Sequence, residues 1–153
     1  MKIISQSVPF KPNMRSLSKI TGISINTLKS YLLLLADAEM ISLLYTKNKG
    51  LYTLNKPEKI FLNNTNLMYN LSERAVNNGN IRETFFLNQL KPFNKPEASS
   101  IADFLVEDHT FEIGEKNKRK RQIKGMEDAW IVKDDIETGA GNTIPLWLFG
   151  FLY

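Results

Sequence analysis

Residues 101–122 read I-A-D-F-L-V-E-D-H-T-F-E-I-G-E-K-N-K-R-K-R-Q and decide how the second half of the chain is interpreted. They contain two apolar, strand-like runs, 101–106 and 111–113, with Asp103 inside the first and Glu112 inside the second. A cationic segment follows directly. Because a short hairpin brings adjacent strands side by side, we predict that the two carboxylates converge in space beside the cations. His109, the single histidine, lies at the predicted hairpin tip, where a turn role is favoured over a zinc site.

Composition restricts the class of protein. The chain has 153 residues, 42% of them hydrophobic, which is enough for one core or for two small ones. It has no cysteine, so disulfides and thiolate metal sites are excluded and a reducing cytoplasm is expected. The longest apolar stretches, 31–36 and 145–153, are too short to span a bilayer, so no membrane partner is predicted. The net charge is +4, and much of it lies in residues 116–124.

The first half of the chain shows the pattern of a winged helix-turn-helix. Two short helices are predicted around the turn at Gly22, the second capped by Ser24, with an apolar side made of Leu17, Ile20, Leu28, Tyr31, Leu32 and Leu35. Strand-like runs at 41–45 and 51–54 flank the polar loop T-K-N-K-G and predict a hairpin wing. A short strand at 59–62 and a helix over 64–76, buried through Leu67, Met68 and Leu71, complete this prediction.

The second half shows a different pattern. N-N-G-N at 77–80 favours a turn and is the predicted boundary between a domain over 1–77 and a domain over 78–153. Beyond it, a helix with Ile81, Phe85 and Leu90 inward is followed by strands at 101–106, 111–113, 130–132 and 144–148, with a helix over 119–128. Helix, hairpin, helix and strand in this order predict a small α/β (α+β) domain, closed by an aromatic C-terminal strand.

Several stretches resemble a known family. They are G-I-S-I-N-T-L-K-S-Y-L, K-P-E-K-I-F-L-N-N-T-N-L, N-I-R-E-T-F-F-L-N-Q-L, A-D-F-L-V, F-E-I-G-E-K-N-K, R-Q-I-K-G and I-P-L-W-L-F-G-F-L-Y. Together they resemble the C-terminal region of bacterial and archaeal AAA-type ATPases, in which a winged helix precedes a domain similar to PD-(D/E)xK nucleases. The resemblance implies a restriction-endonuclease-like second domain and, as partners, DNA and an upstream ATPase domain.

The phosphate-binding loop of such an ATPase is not in this sequence, which contains no G-x-x-x-x-G-K-[ST]. Any ATP would therefore be bound by a domain outside this chain, and we expect the chain to be the C-terminal part of a longer protein.

The resemblance also implies a candidate catalytic site. Asp103 and Glu112 would hold Mg²⁺ or Mn²⁺, Glu83 would be an accessory acid, and Gln122 a supporting polar residue. The family pattern places a lysine two residues after the glutamate, but Gly114 stands there. Lys116 or Lys118 would have to supply the ammonium instead. The alternative is a non-catalytic core in which the two acids form salt bridges with the Lys and Arg run.

Candidate nucleic-acid contacts lie in both halves of the chain. On the second helix and the wing they are Asn26, Thr27, Lys29, Ser30, Lys47 and Lys49, and in the cationic segment they are Lys118, Arg119, Lys120 and Arg121. Leu33 and Leu34 widen the apolar surface of the same helix, which favours docking on a neighbouring domain. Three functions follow from the sequence: a nucleic-acid-binding or partner-docking module of an AAA-type ATPase, a metal-dependent DNA endonuclease, and a structural or oligomerisation domain.

Overall fold

The computed structural model describes residues 1–46, 56–72, 75–119 and 121–152. The chain forms two compact units, Met1–Ala75 and Val76–Tyr153, each with its own sheet. The fold is therefore α+β, with helices, a two-stranded sheet and a mixed five-stranded sheet. Within the described residues, no helix is both long enough and apolar enough to cross a membrane.

The first unit begins with three helices, α1 (Lys2–Ser5), α2 (Met14–Thr21) and α3 (Ile25–Asp37). The Asn13 side chain caps α2 by accepting the Ser16 N–H at 3.1 Å, and Ser24 caps α3 by accepting the Thr27 N–H. Gly22 ends α2 with φ of 69°, a left-handed conformation that only glycine adopts readily. These local signals explain why the two helices begin and end where the sequence predicts.

A small sheet covers one side of these helices. Strand β1 (Ile41–Leu44) pairs antiparallel with β2 (Lys59–Leu62), and helix α4 (Thr65–Leu71) follows. The core of the unit is mostly aliphatic and includes Ile4, Val8, Leu28, Leu32, Ile41, Ile60, Phe61, Leu62 and Met68. The sequence predicts a hairpin between β1 and residues 51–54, but residues 51–54 lie outside the described ranges. Among the described residues, the partner of β1 is β2.

The second unit contains α5 (Asn78–Leu90) and a sheet with the order β3-β4-β5-β6-β7. Its strands are β3 (Glu97–Ala98), β4 (Phe104–Val106), β5 (His109–Gly114), β6 (Ala129–Lys133) and β7 (Thr143–Pro145). The pairs β3–β4 and β4–β5 are antiparallel, and β5–β6 and β6–β7 are parallel. Helix α5 packs on β5, and its Phe86 ring lies 4.7–5.3 Å from the rings of Phe104, Phe111 and Phe149.

Several boundaries and faces differ from the sequence predictions. Residues 121–125 form turns where the pattern predicts a helix, because buried Ile123 packs against Ala129 and Ile131 and Gly125 has φ of 79°. The N-N-G-N stretch forms the start of α5, which Asn77 caps by accepting the Gly79 N–H. The two units divide between Ala75 and Val76, two residues before the boundary predicted after residue 77.

The predicted C-terminal strand is also only partly correct. It ends at Pro145, and Leu146–Phe151 form a 3₁₀ helix. Pro145 has no backbone N–H, so it cannot donate a hydrogen bond that would extend the β-ladder beyond this residue. Trp147 lies on this 3₁₀ helix, where its indole N–H donates to the Ile136 carbonyl at 3.1 Å and its ring meets Phe151 edge-on.

The inward faces of two helices were partly misassigned by the apolar pattern. In α5 the buried residues are Thr84, Phe86, Leu87 and Leu90, while Ile81 and Phe85 are only half-buried. In the first unit Ile20 and Tyr31 are exposed, at 68% and 49%, although both were predicted to face the core. Helical spacing alone does not say which of two adjacent apolar rows faces inward.

Candidate functional site

The two predicted carboxylates lie close together beside Lys118. Asp103 stands immediately before β4, and its N–H donates at 3.1 Å to the carbonyl of Phe111, the residue that the β4–β5 register pairs with Phe104. Asp103 Oδ2 accepts the N–H of Ile113, the neighbour of Glu112, and both carboxylates act on the Lys118 ammonium. The two acids therefore converge in space.

Glu112 is buried and its charge is neutralised by a lysine. Its side chain is only 2% exposed, and its Oε1 lies 2.5 Å from Nζ of Lys118. A buried carboxylate without such a partner would be strongly destabilising. Of the two lysines proposed to replace the missing one, it is Lys118 that reaches Glu112. Lys116 is exposed, and its main-chain carbonyl accepts a hydrogen bond from Lys133 Nζ.

Gly114 is the reason that Lys118 can reach back into the sheet. A Cβ atom placed on Gly114 would lie 2.6 Å from Cβ of Lys118 and 2.7 Å from its Cδ, far inside van der Waals contact. The methylene chain of Lys118 thus runs through the space that a side chain at position 114 would occupy. A turn closed by the Lys118 N–H and the Glu115 carbonyl, 2.9 Å apart, returns the chain to this point. Gly114 therefore leaves the room on β5 that the Lys118 side chain fills.

Three acids act on the Lys118 ammonium. Burial by itself lowers the pKa of Lys118, but the hydrogen bond that Lys118 donates to Glu112 and the negative charges of Glu112, Asp103 and Glu83 outweigh that effect. The net result is a pKa raised above its ordinary value of 10.5. Lys118 is therefore held as a cation among the acids. Glu83, on the first half of α5, is close enough to contribute although it lies far away in the sequence.

Gln122 and a backbone amide complete the polar contacts. With its amide turned so that nitrogen faces Glu112, Gln122 donates to both carboxylate oxygens, at 3.3 Å to Oε2 and closer to Oε1. Asp103 Oδ2 accepts the Ile113 N–H at 2.8 Å. Five of the six predicted catalytic positions, Glu83, Asp103, Glu112, Lys118 and Gln122, thus belong to one cluster, which we call the Glu112 site.

This donor set fits an ammonium better than a divalent cation. Among the described residues, no group of three His, Cys, Asp or Glu side chains is arranged to hold a metal ion. Glu112 Oε1 is already engaged by Lys118, and Asp103 Oδ2 by a backbone N–H. Mg²⁺ requires several oxygen ligands with near-octahedral geometry. Binding of Mg²⁺ or Mn²⁺ here would first require Lys118 to release Glu112.

A cationic surface adjoins the site. Lys116, Arg119, Arg121 and Lys124 are exposed, and none of the four forms an ion pair with another residue in the described ranges. Lys120, which was predicted to belong to this surface, lies outside the described residues. The four cations stand in the same turn-rich segment as Lys118. Lys118 points inward, and the four other cations that the structure describes in this segment face solvent.

The residues predicted to contact DNA from α3 and the wing differ in their exposure and hydrogen bonding. Asn26, Thr27 and Ser30 are exposed on α3, but the Thr27 hydroxyl pairs with Ser24 at 2.8 Å and the Ser30 hydroxyl donates to the Asn26 carbonyl at 3.2 Å. Lys29 is half-buried at the edge of an apolar groove. Lys47 and Lys49 lie outside the described residues.

His109 begins β5 rather than forming the hairpin turn, which is made by residues 107–108. Its Nδ1 lies 3.9 Å from Asp128 Oδ1, and both side chains are about half exposed or more. From the sequence, Gly114 was interpreted only as the position where the lysine of the family pattern is missing. A glycine four residues before a lysine was the available signal that Lys118 could fold back over it.

Known proteins provide no further guide to the function. Compared with models of protein families, with curated proteins and with solved structures, the chain shows no significant match.

Proposed function

We propose that this chain is a nucleic-acid-binding module, the C-terminal part of an AAA-type ATPase, whose nuclease-like unit binds DNA without cutting it. The proposal is carried by one observation: Lys118 pairs with Glu112 and occupies the carboxylate cluster, while the cations around it face solvent. The resemblance of the sequence to that family provides the context of DNA and an ATPase partner.

The buried ion pair argues against cleavage. A nuclease of the resembled type needs two carboxylates free to hold a cation against the scissile phosphate. Here Glu112 is almost fully buried and takes hydrogen bonds from Lys118 and Gln122. These contacts neutralise the charge of Glu112 and join the turn-rich segment to the sheet. The cluster then acts as a structural support for the cationic surface.

The exposed cations favour a polyanionic partner. Lys116, Arg119, Arg121 and Lys124 lie within nine residues, and the only acid in that stretch or beside it is Glu115. Phosphate contacts by Lys and Arg release counterions and give sequence-independent affinity that falls with salt. The guanidinium group of arginine can donate two parallel hydrogen bonds to two oxygens of one phosphate. We therefore assign the DNA contact to this surface.

The test is the affinity for a labelled DNA duplex measured by fluorescence anisotropy over a series of salt concentrations. Replacing both Arg119 and Arg121 by Glu should weaken binding and lower the salt slope by about two, since each lost phosphate contact removes about one from the slope. The matched control is Lys91→Glu with Lys95→Glu, which makes the same change in net charge on exposed residues of the same unit. An equal loss in both variants, or no binding by the unaltered protein, contradicts the proposal.

The second candidate is a metal-dependent DNA endonuclease in which Lys118 replaces the missing strand lysine. The assembly of Glu83, Asp103, Glu112 and Lys118 into one cluster favours it. This function predicts nicking of supercoiled plasmid in Mg²⁺ or Mn²⁺ that disappears in Glu112→Gln and in Asp103→Asn. Nicking that persists in both variants would come from a contaminating enzyme.

A further inference from the structure

The second unit exposes aromatic side chains on its C-terminal 3₁₀ helix. Trp147 is 49% exposed and Phe151 is 76% exposed, and their rings stand perpendicular to each other with centroids 6.0 Å apart. The indole N–H of Trp147 donates to the Ile136 carbonyl at 3.1 Å, which fixes the indole beside the loop that follows β6. Large aromatic side chains exposed next to each other indicate an interaction site.

The loop beside these rings is acidic. Asp135 and Glu137 flank Ile136 in the sequence, both are exposed, and neither forms an ion pair with another residue in the described part of the chain. Residues 134–153 contain three acids and no lysine, arginine or histidine, although the whole chain has a net charge of +4. A guanidinium or ammonium group complements this surface, since aromatic rings and carboxylates both attract cations. The surface, which we call the acidic aromatic face, comprises Asp135, Glu137, Trp147 and Phe151.

The exposed cations of residues 116–124 belong to the other side of the sheet. The ring of Phe149, on the 3₁₀ helix, has its centroid 6.4 Å from that of Phe111, whereas Lys118 of the cationic segment contacts Glu112. Phe111 and Glu112 are adjacent in β5, and adjacent residues of a strand point to opposite faces of a sheet. The 3₁₀ helix and the cationic segment therefore cover opposite faces of the five-stranded sheet.

This separation decides which molecule can join the two surfaces. Within one chain the sheet stands between them, and no described cation of the segment pairs with Asp135 or Glu137. A second copy can bring its cationic segment to the face without that obstacle. We propose that the chain associates head to tail with copies of itself, with Arg119 and Arg121 of one copy lying on the acidic aromatic face of the next. Arginine suits this contact because its planar guanidinium stacks on aromatic rings and pairs with carboxylates.

Self-association of this kind uses the same cations that the proposed function assigns to DNA. A contact between two different surfaces of one molecule generates either a ring or an open chain of copies. Each contact covers a cationic segment, so a DNA duplex and a second copy compete for it. The inference does not rest on DNA binding, because the face and the segment are complementary in charge whether or not a nucleic acid is bound.

The experiment is sedimentation velocity of the full chain over a series of protein and salt concentrations. The unaltered chain should form species larger than a monomer at low salt, and these should dissociate as salt screens the charges. The face variant combines Asp135→Asn with Glu137→Lys; asparagine is chosen because Asp135 has φ of 58°, which asparagine tolerates. The segment variant combines Arg119→Glu with Arg121→Glu. Each variant alone should associate about tenfold more weakly, since like charges then meet across the contact.

Mixing the face variant with the segment variant gives the sharpest measurement. In the mixture, the unaltered segment of one variant meets the unaltered face of the other, and the two altered surfaces again carry opposite charges. Larger species should therefore reappear. A folding defect in either variant could not be repaired in this way.

The matched control for the face variant combines Glu127→Lys with Asp128→Asn. It makes the same two substitutions on exposed acids of the same unit, and Asp128 has a similar φ of 55°. These acids precede β6, whereas Asp135 and Glu137 follow it. The control should associate like the unaltered chain.

The aromatic part of the face is tested by Phe151→Ser. Because Phe151 is mostly exposed, its removal leaves the core intact, and association should weaken several-fold through loss of an aromatic contact. Phe93→Ser is the control, since Phe93 is another exposed aromatic residue of the same unit, at 58%. Circular dichroism checks the fold of both variants.

Three results overturn the inference: an unaltered chain that stays monomeric at low salt, a matched control that weakens association as much as the face variant, and a mixture that stays monomeric. The affinity for a labelled DNA duplex keeps this inference apart from the proposed function. The face variant retains Arg119 and Arg121 and should bind DNA at least as tightly as the unaltered chain. DNA binding without self-association removes this inference alone, and self-association without DNA binding removes the proposed function alone.

Discussion

The two units use a lysine in opposite ways. In the second unit Lys118 turns inward, loses part of its hydration and pairs with the buried Glu112. In the first unit Lys29 stands at the edge of an apolar groove and forms no ion pair among the described residues. The comparison shows that partial burial of a lysine has two structural outcomes. Where a buried acid lies within reach, as at Glu112, the lysine is held by the fold. Where no such acid is described, as at Lys29, the lysine stays at the edge of the surface groove.

The largest effect on stability is expected from replacing Lys118, the lysine that pairs with Glu112. Removing one member of a buried ion pair costs about 3–5 kcal/mol, and because Lys118 remains partly accessible we expect Lys118→Met to lower the free energy of unfolding by about 2 kcal/mol. Urea unfolding of the variant and of the unaltered protein measures the effect.

Lys116→Met is the control for that prediction, since Lys116 is exposed and contributes only its main-chain carbonyl. If both lysine variants unfold alike, the Lys118–Glu112 pair contributes nothing specific. The contrast with Lys29 would then lose its basis.

A smaller effect is expected at Gly114. In Gly114→Ala the new methyl group overlaps the Lys118 side chain, and crowding of this kind costs about 1–2 kcal/mol. Gly150→Ala is the control, because a Cβ there would meet Phe85 at an ordinary 3.4 Å. Differential scanning calorimetry of the two variants measures the difference.

The same pair of positions allows a stricter test. Exchanging them, with Gly114→Lys and Lys118→Gly in one chain, returns the ammonium to the strand. We expect the double variant to be more stable than the sum of the two single changes predicts, as for any two residues that share one space. Strict additivity would mean that Gly114 and Lys118 do not depend on each other.

The smallest expected effect is a loss of stability at alkaline pH, to which the two units contribute through different residues. The pKa of Lys118 is raised above its ordinary 10.5, so its stabilising contribution is complete below that pH and is lost as pH rises through the higher pKa of the folded state. Burial raises the pKa of Tyr45 above 10.0, which gives a loss of stability in the same direction.

Two substitutions assign these alkaline losses. Tyr45→Phe should remove the contribution of the first unit, and Lys118→Met that of the second. Urea midpoints between about pH 8 and pH 11, a range that brackets the ordinary values of both groups, provide the measurement. If neither substitution alters the decline at high pH, both assignments are wrong.

Much of the fold was predictable because its signals are local. Asn13, Ser24 and Gly22 mark helix ends by their own side chains or backbone conformation, and the apolar runs around Asp103 and Glu112 became strands. The helix predicted over 119–128 failed because one buried residue, Ile123, and Gly125 hold the segment in turns. This turn conformation depends on tertiary packing, which the composition of the segment does not indicate.

The site was predictable in its acids and not in its lysine. Asp103 and Glu112 lie in neighbouring apolar runs, and their convergence was expected because that layout resembles a nuclease core. Whether Lys116 or Lys118 reaches back depends on the turn after Gly114, whose closure by the Glu115 carbonyl is visible only in the fold. The groove beside Lys29 left no sequence signal beyond the apolar excess at Leu33 and Leu34.

The distribution of aromatic residues has a practical consequence for all of these measurements. Both tryptophans, Trp130 in β6 and Trp147 on the 3₁₀ helix, belong to the second unit, whereas four of the five tyrosines belong to the first. Tryptophan emission, excited at the red edge of the absorption band, therefore reports on the unit that holds Glu112, and tyrosine absorbance reports mainly on the first unit. The chain carries its own pair of spectroscopic reporters, one for each unit.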